Sequence, residues 1–153
     1  MRAIRDIVAP LVAARRLVAK DAVAYYESIQ QFRIAEIDGI VVGCGALHVL
    51  WDDLAEVRTL ATAPGHAGHG VGHAVLEALI DDARVLGVQR IFCLTFETGF
   101  FRRHGFQPID GQAVPPEVYA ELLRSYDEGV AEFLDLERVK PNTLGNTRML
   151  LTL

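Results

Sequence analysis

Nine residues, Gly65-His66-Ala67-Gly68-His69-Gly70-Val71-Gly72-His73, place four glycines and three histidines between one apolar run and the next. Closely spaced glycines let backbone approach a ligand and line up successive amides, and amides at a helix start attract anions. The chemistry such a turn can do is phosphate binding. The turn is not the G-x-G-x-x-G dinucleotide fingerprint, and it lacks the Gly-Lys-Ser/Thr ending of a P-loop. A glycine-rich turn with no ligand is the plainer alternative. The histidines offer another: His69, His73 and Glu77 are spaced by four, as metal ligands on one helix face are. No fourth ligand is evident and His69 falls at the helix start, so solvated or phosphate-neighbouring histidines are preferred and no metal is assigned.

Glu56 and Arg58 stand two apart in a run that reads as a strand, so they share a face. Read from the residues alone, the plain role of Glu56 there is half of a surface ion pair with Arg58. Cys44 and Cys93 lie inside apolar runs. Two cysteines make neither a disulfide framework nor a thiolate metal site, and a reducing cytoplasm suits them.

The elements that must position these residues follow from periodicity. Ile4, Ile7, Leu11 and Val18 recur at helical spacing, with Arg2, Arg5, Arg15 and Arg16 outside. A short helix follows Asp21 and carries Val23, Tyr26 and Ile29. Two strands, 32–36 and 40–49, flank an Asp38-Gly39 hairpin turn. A third strand runs from Leu54 to Thr62. The glycine-rich turn then opens a helix with Val71, Val75, Leu79 and Leu86 on one face, stopped by Gly87. A buried-type strand at 90–96, a short helix at 100–104, a strand at 106–109, a helix from Pro115-Pro116 to about Tyr126 and a last strand at 147–153 complete the order. The fold class is α/β (α+β), a mixed sheet with helices on its faces.

The chain has 153 residues, the length of a single domain over 1–153. Its 51% apolar content excludes a disordered chain. The net charge of −5 excludes a basic footprint for nucleic acid or an anionic membrane. The apolar runs reach about half of the ~20 residues that a membrane-spanning helix needs. Residues 7–14 resemble a short signal segment, but Asp6 and the lack of a small-x-small site argue against secretion.

Leu60-Ala61-Thr62-x-Pro64-x-x-Ala67-Gly68-His69-Gly70-Val71-Gly72 resembles motif A of the GNAT acetyltransferases, where a strand, a pyrophosphate loop and a helix bind acetyl-CoA. Phe100-Phe101-x-x-His104-Gly105-Phe106 resembles the same family's later F-[YF]-x-x-x-G-F segment. Gly43-Cys44-Gly45-Ala46-Leu47-His48, Ala55-Glu56-Val57-Arg58-Thr59-Leu60, Leu94-Thr95 and Asn146-Thr147-Arg148-Met149-Leu150 look like its amino-acid N-acetyltransferase branch. The stretch from Ser125-Tyr126-Asp127 through Asn142-Thr143-Leu144-Gly145-Asn146 looks like the short glutamate N-acetyltransferases of actinobacterial arginine biosynthesis. Three departures stand out. Ala67 replaces the usual Gln or Arg at the loop start, Phe101 replaces a tyrosine acid, and the family's first strand has no counterpart. Either the true start lies upstream or the sheet does without that edge strand.

The resemblance implies acetyl-CoA as co-substrate, held by Leu60, Ala61, Thr62, Ala67, Gly68, His69, Gly70, Val71, Gly72, His73 and Phe101. It implies an amino acid, L-glutamate first, as acceptor, with Lys20, Arg58, Asn146, Thr147 and Arg148 as its partners. Glu56 falls at the position of the family's base. A backbone amide near Leu60-Ala61 would serve the oxyanion, and Tyr126 or a water would replace the missing tyrosine acid. No metal, nucleic acid or membrane is implied; the compartment is cytoplasmic and a homodimer is entertained. The rival readings are a GNAT acting on a polyamine, an antibiotic or a protein N-terminus, and a non-catalytic acetyl-CoA sensor.

Overall fold

A computed structural model describes residues 1–140 and 145–153; of the C-terminal stretch singled out above, Asn142, Thr143 and Leu144 lie outside the described residues. Six strands form a mixed sheet flanked by helices. The chain divides into two compact units, Met1–His48 with Val57–Gly87, and Val49–Glu56 with Val88–Leu153.

The first unit opens with α1 (Arg2–Ala13), which buries Ile4, Ile7 and Val8. The helix stops before Val18, because Arg15 turns left-handed at φ 56. The amides of Arg15 and Arg16 then close back on the carbonyls of Val12 and Leu11. That is a Schellman ending with arginine where glycine is usual, so no glycine announced it. Helix α2 (Ala22–Glu27) buries Tyr25 and leaves Val23 and Tyr26 exposed, with Ile29 exposed just beyond it. The apolar face expected there is thus turned outward. Strands β1 (Phe32–Ile37) and β2 (Ile40–Trp51) pair antiparallel from Phe32↔Ala46 to Ile37↔Ile40. Asp38 and Gly39 both have positive φ, 50 and 78, as a two-residue type I′ turn demands. Strand β3 (Leu54–Thr62) enters this unit at Val57 and leads to α3 (Val71–Leu86). Helix α3 buries Val71, Val75, Leu76, Leu79, Ile80 and Ala83. Leu86, expected on that face, is exposed.

Helix α3 closes directly over β2. A Cβ built on Gly43 would stand 2.4 Å from Val71 Cγ1, and one on Gly45 would stand 2.9 Å from side-chain carbons of Leu79 and Val75. These glycines exist to let the helix approach. Overpacking typically costs ~1–3 kcal/mol, so Gly45→Ala is expected to lower the melting temperature by a few degrees up to about ten. Gly99→Ala is the control, since a Cβ there would meet only the Arg103 guanidinium of its own helix, at 3.9 Å. Thermal melts of the two variants decide it; equal melting temperatures would refute the packing account.

The second unit contains the end of β2, the start of β3, β4 (Arg90–Thr95), α4 (Thr98–Arg103), β5 (Gln107–Pro108), α5 (Pro116–Leu122), α6 (Glu128–Phe133) and β6 (Thr147–Thr152). Strand β4 pairs parallel with β3 over Leu54↔Arg90, Ala55↔Ile91 and Glu56↔Phe92. It pairs antiparallel with β6 from Arg90↔Thr152 to Thr95↔Thr147, and β5 adds to the far side of β6. The core joins Leu50, Leu54, Phe92, Val118, Leu122 and Phe133. Phe92 and Phe133 meet edge to face with ring centroids 4.8 Å apart. Helix α5 ends at Leu122, short of Tyr126, because Ser125 Oγ accepts from the Asp127 amide and Asp127 Oδ1 accepts from the Val130 amide. Those side chains stop one helix and cap the next, giving an α6 that the periodicity did not suggest. Among the described residues, no helix is long and apolar enough to cross a membrane.

Candidate functional site

In the first unit the chain leaves β3 through Pro64 and Gly65 and reaches α3 by a glycine loop. Gly68 and Gly70 take left-handed φ values of 80 and 81, and Gly70 is the N-cap of α3. No side chain caps that helix. The positive end of the helix dipole lies there, where a bound anion is favoured. A Cβ added at Gly68 or Gly70 would meet no atom within 4 Å. The backbone is thus open to close approach by a ligand, and the fit to a pyrophosphate rests on that opening and on the uncapped amides. Ala67, Gly68, His69, Gly70 and His73 are exposed, Val71 is buried beneath them and Gly72 lies between. His69 Nδ1 is 3.0 Å from the Ala67 carbonyl oxygen. It precedes the N-cap, so its spacing to His73 is not helical and His69 shares no helix face with His73. Leu60, Ala61 and Thr62 close β3 just upstream, with Ala61 in the buried cluster that also holds Cys44.

Lys20 lies in the same unit, in the wall of a cavity of about 600 Å³. Arg2, Arg5, Asp6, Val12 and Tyr25 line it too. Sequence reading placed Arg2 and Arg5 on an outer face and missed that they share this wall with Lys20. The spacing of Arg2, Arg5, Ala9 and Val12, one turn apart each time, was the available signal. Arg58 is half-buried on β3.

In the second unit Glu56 is the last β3 residue in the ladder with β4. It is only 4% exposed, one of two buried polar side chains with Thr95 among the described residues. Directly paired residues share a face, as do alternate residues of one strand. Glu56 faces with Phe92, Phe92 with Leu94, and Leu94 with its partner Arg148. So Glu56 and Arg148 stand on one face. The Arg148 guanidinium carbon lies 4.8 Å from the centroid of the Phe92 ring and 5.7 Å from that of Phe133. Its Nε donates to the Gly111 carbonyl at 3.0 Å, and Nη2 to Gln112 Oε1 at 3.4 Å. Burial lowers the Arg148 pKa, and the charges of Asp135 and Glu56 push it back. The Cys93 thiol is pushed well above its usual value by burial and then by the Glu56 charge. Both effects place the Glu56 carboxylate within electrostatic reach of these groups.

The remaining expected residues are not gathered there. Thr147 pairs with Thr95 and, by alternation, points to the other face from Arg148. Asn146 precedes β6 and is half-buried. Tyr126 is 99% exposed, so no packing holds its hydroxyl at a reaction centre. Phe101 is buried in a cluster with Phe100 and Phe106, ring centroids 5.2 and 5.1 Å away. Phe92, Phe133 and Asp135, which surround Arg148, were not singled out by sequence. Asp135 sits at φ 58 after α6, and no local pattern marks it.

Residues 10–106 match the Acetyltransferase (GNAT) family. An amino-acid acetyltransferase of Mycobacterium tuberculosis is 58% identical over 144 residues, which cover 92% of this chain and 83% of that protein. A crystal structure of an M. tuberculosis protein in complex with CoA and NLQ superposes with a TM-score of 0.96 at 55% identity, over 99% of this chain and 93% of the other. N-acetylglutamate synthase from Neisseria gonorrhoeae, complexed with coenzyme A and L-arginine, gives a TM-score of 0.68 at 26% identity. That match covers 98% of this chain but only 31% of the synthase.

Proposed function

This chain belongs to the acetyltransferase (GNAT) family, and from that premise we propose that it transfers acetyl from acetyl-CoA to the α-amino group of an amino acid, L-glutamate first among them. The observation that carries the reading is strand β3, which holds a buried carboxylate at Glu56 and then leads into left-handed glycines at the uncapped start of α3. The amino-acid acetyltransferase at 58% identity supports the acceptor class. Glutamate rests on the motif resemblance and on the partial match to an N-acetylglutamate synthase.

Acetyl-CoA supplies the activated carbonyl. The chain's own residues do the rest. An α-amino group near neutral pH is largely protonated, so a base must take a proton before or during attack. Glu56 does this, directly or through one water. A backbone amide in the segment Leu60-Ala61 meets the negative charge that develops on the carbonyl oxygen. The leaving thiolate has a pKa near 8.5, that of a simple thiol, and needs little acid help. This is why Phe101 can replace a tyrosine and why Tyr126, fully in solvent, is not required; a water serves. Substrate carboxylates call for cations, which Arg148 offers beside Glu56 and Lys20 offers in the α1 cavity.

A thiol-release assay with acetyl-CoA and glutamate, glutamine, aspartate and a carboxylate-free amine tests the acceptor. Lys20→Met keeps the stem and deletes the charge. Losing a charge-assisted contact costs roughly 1.5–3 kcal/mol, expected mainly as a raised KM for glutamate with the acetyl-CoA KM unchanged. A carboxylate-free amine turned over as well as glutamate would refute the amino-acid reading and favour a polyamine or antibiotic acceptor. Glutamine matching glutamate would leave only the α-carboxylate read.

A further inference from the structure

Thr59 interrupts β3 with φ 55. Left-handed backbone is a true outlier for a β-branched residue, so the surroundings must hold it in place. One such hold is visible. The Thr59 carbonyl accepts a hydrogen bond from the Cys44 thiol, Sγ to O 3.7 Å. Cys44 is fully buried. It stands between Gly43 and Gly45, whose open sides face α3, so by alternation its side chain points the other way. There it joins the cluster of Ile4, Ile7, Val8, Tyr25 and Ala61. Cys44 therefore holds the β3 backbone by a hydrogen bond at Thr59, and it shares a buried cluster with Ala61, two residues further on. Burial pushes its thiol up to about 12, so the proton it donates stays in place across the working pH range.

We propose that Cys44 is a positioning residue for acetyl transfer, holding the left-handed Thr59 so that the amides of Leu60 and Ala61 are aimed at the developing oxyanion. The inference rests on the acetyltransferase reading above. A cysteine that merely fills the core would, when shortened, lower stability and leave the aim of those amides unchanged. A cysteine that holds Thr59 becomes dispensable once residue 59 is a glycine, which takes φ 55 without strain.

The test is a cycle of Cys44→Ala, Thr59→Gly and the pair, with kcat and KM from thiol release. Misaiming reacting groups is costly, so Cys44→Ala should lower kcat about tenfold with the acetyl-CoA KM held within about twofold. In the Thr59→Gly background the same change should cost less than about threefold, because the two residues are coupled. Cys44→Ser, which keeps a donor, should recover most of the lost kcat. If Cys44→Ala does not fold, Cys44→Val, which fills the space and lacks the donor, takes its place in the cycle. An equal loss in both backgrounds, no rescue by serine, or an unchanged kcat overturns the inference while leaving the acetyltransferase reading intact. A wild-type chain that releases no thiol with any amino acid overturns both.

Discussion

Glu56→Gln is expected to lower kcat by about two to four orders of magnitude, the usual contribution of a general base. The substitution keeps the shape of a side chain that is 4% exposed at the last rung of the β3–β4 ladder. What it deletes is the proton acceptor and a negative charge that acts electrostatically on Arg148 and Cys93. The pH profile separates the base from a structural role. Below the pKa of the substrate's amine, the wild type supplies neutral amine through Glu56 and the variant cannot. As pH rises through that pKa, solvent supplies neutral amine to both, so the deficit shrinks. Rates measured from about pH 6.5 to 10 should therefore converge at the alkaline end. A uniform tenfold deficit at every pH would mean that Glu56 places Arg148 or the strand and does not carry the proton. A melting curve beside the kinetics is needed, because losing the charge leaves a half-buried guanidinium with one neighbour fewer, and that change acts on stability as well.

Why Glu56 was legible in the sequence and Arg148's surroundings were not is a matter of range. The strand that carries Glu56, the Asp38-Gly39 turn and the helix stop at Gly87 are local signals, and each reappears at its place in the structure. Failures came where side chains took over jobs usually done by glycine or by an apolar period. Arg15 ends α1 in a left-handed conformation. Ser125 and Asp127 divide one expected helix into α5 and a separately capped α6. With α6 unrecognised, Phe133 and Asp135 had no element to stand on, and the aromatic cradle of Arg148 stayed out of sight. Thr147 and Arg148 are neighbours on one strand and so point to opposite faces. Tyr126 offers the right chemistry, but nothing local shows that the break between α5 and α6 leaves it in solvent. The close approach of α3 to Gly43 and Gly45 needed three dimensions, although the G-x-G spacing on one strand face hinted at it.

Gly70→Glu should weaken acetyl-CoA binding at least tenfold, about 1.4 kcal/mol, and the structure says by which route. A Cβ at residue 70 meets no protein atom within 4 Å, so crowding by the fold is not the cause. Two other effects remain. The left-handed φ of 81 strains any L side chain by roughly 1–2 kcal/mol, and Gly70→Ala carries this effect alone. The carboxylate of Gly70→Glu adds a negative charge at the N-terminus of α3. In the free protein that charge is favourable, because it lies at the positive end of the helix dipole. The glutamate variant should therefore melt no lower than the alanine variant. Toward a pyrophosphate the same charge is repulsive, so the glutamate variant should bind acetyl-CoA more weakly than the alanine variant. The gap between the two should narrow as salt is raised. Stability and affinity thus move in opposite directions for one added charge, a pattern that general damage to the loop does not produce. Calorimetry with acetyl-CoA on both variants, at two salt concentrations, reads it. Unchanged affinity in a folded Gly70→Glu protein would remove the pyrophosphate from this loop. Activity that is lost with a chelator and returns with zinc would instead give the loop's histidines a metal to hold.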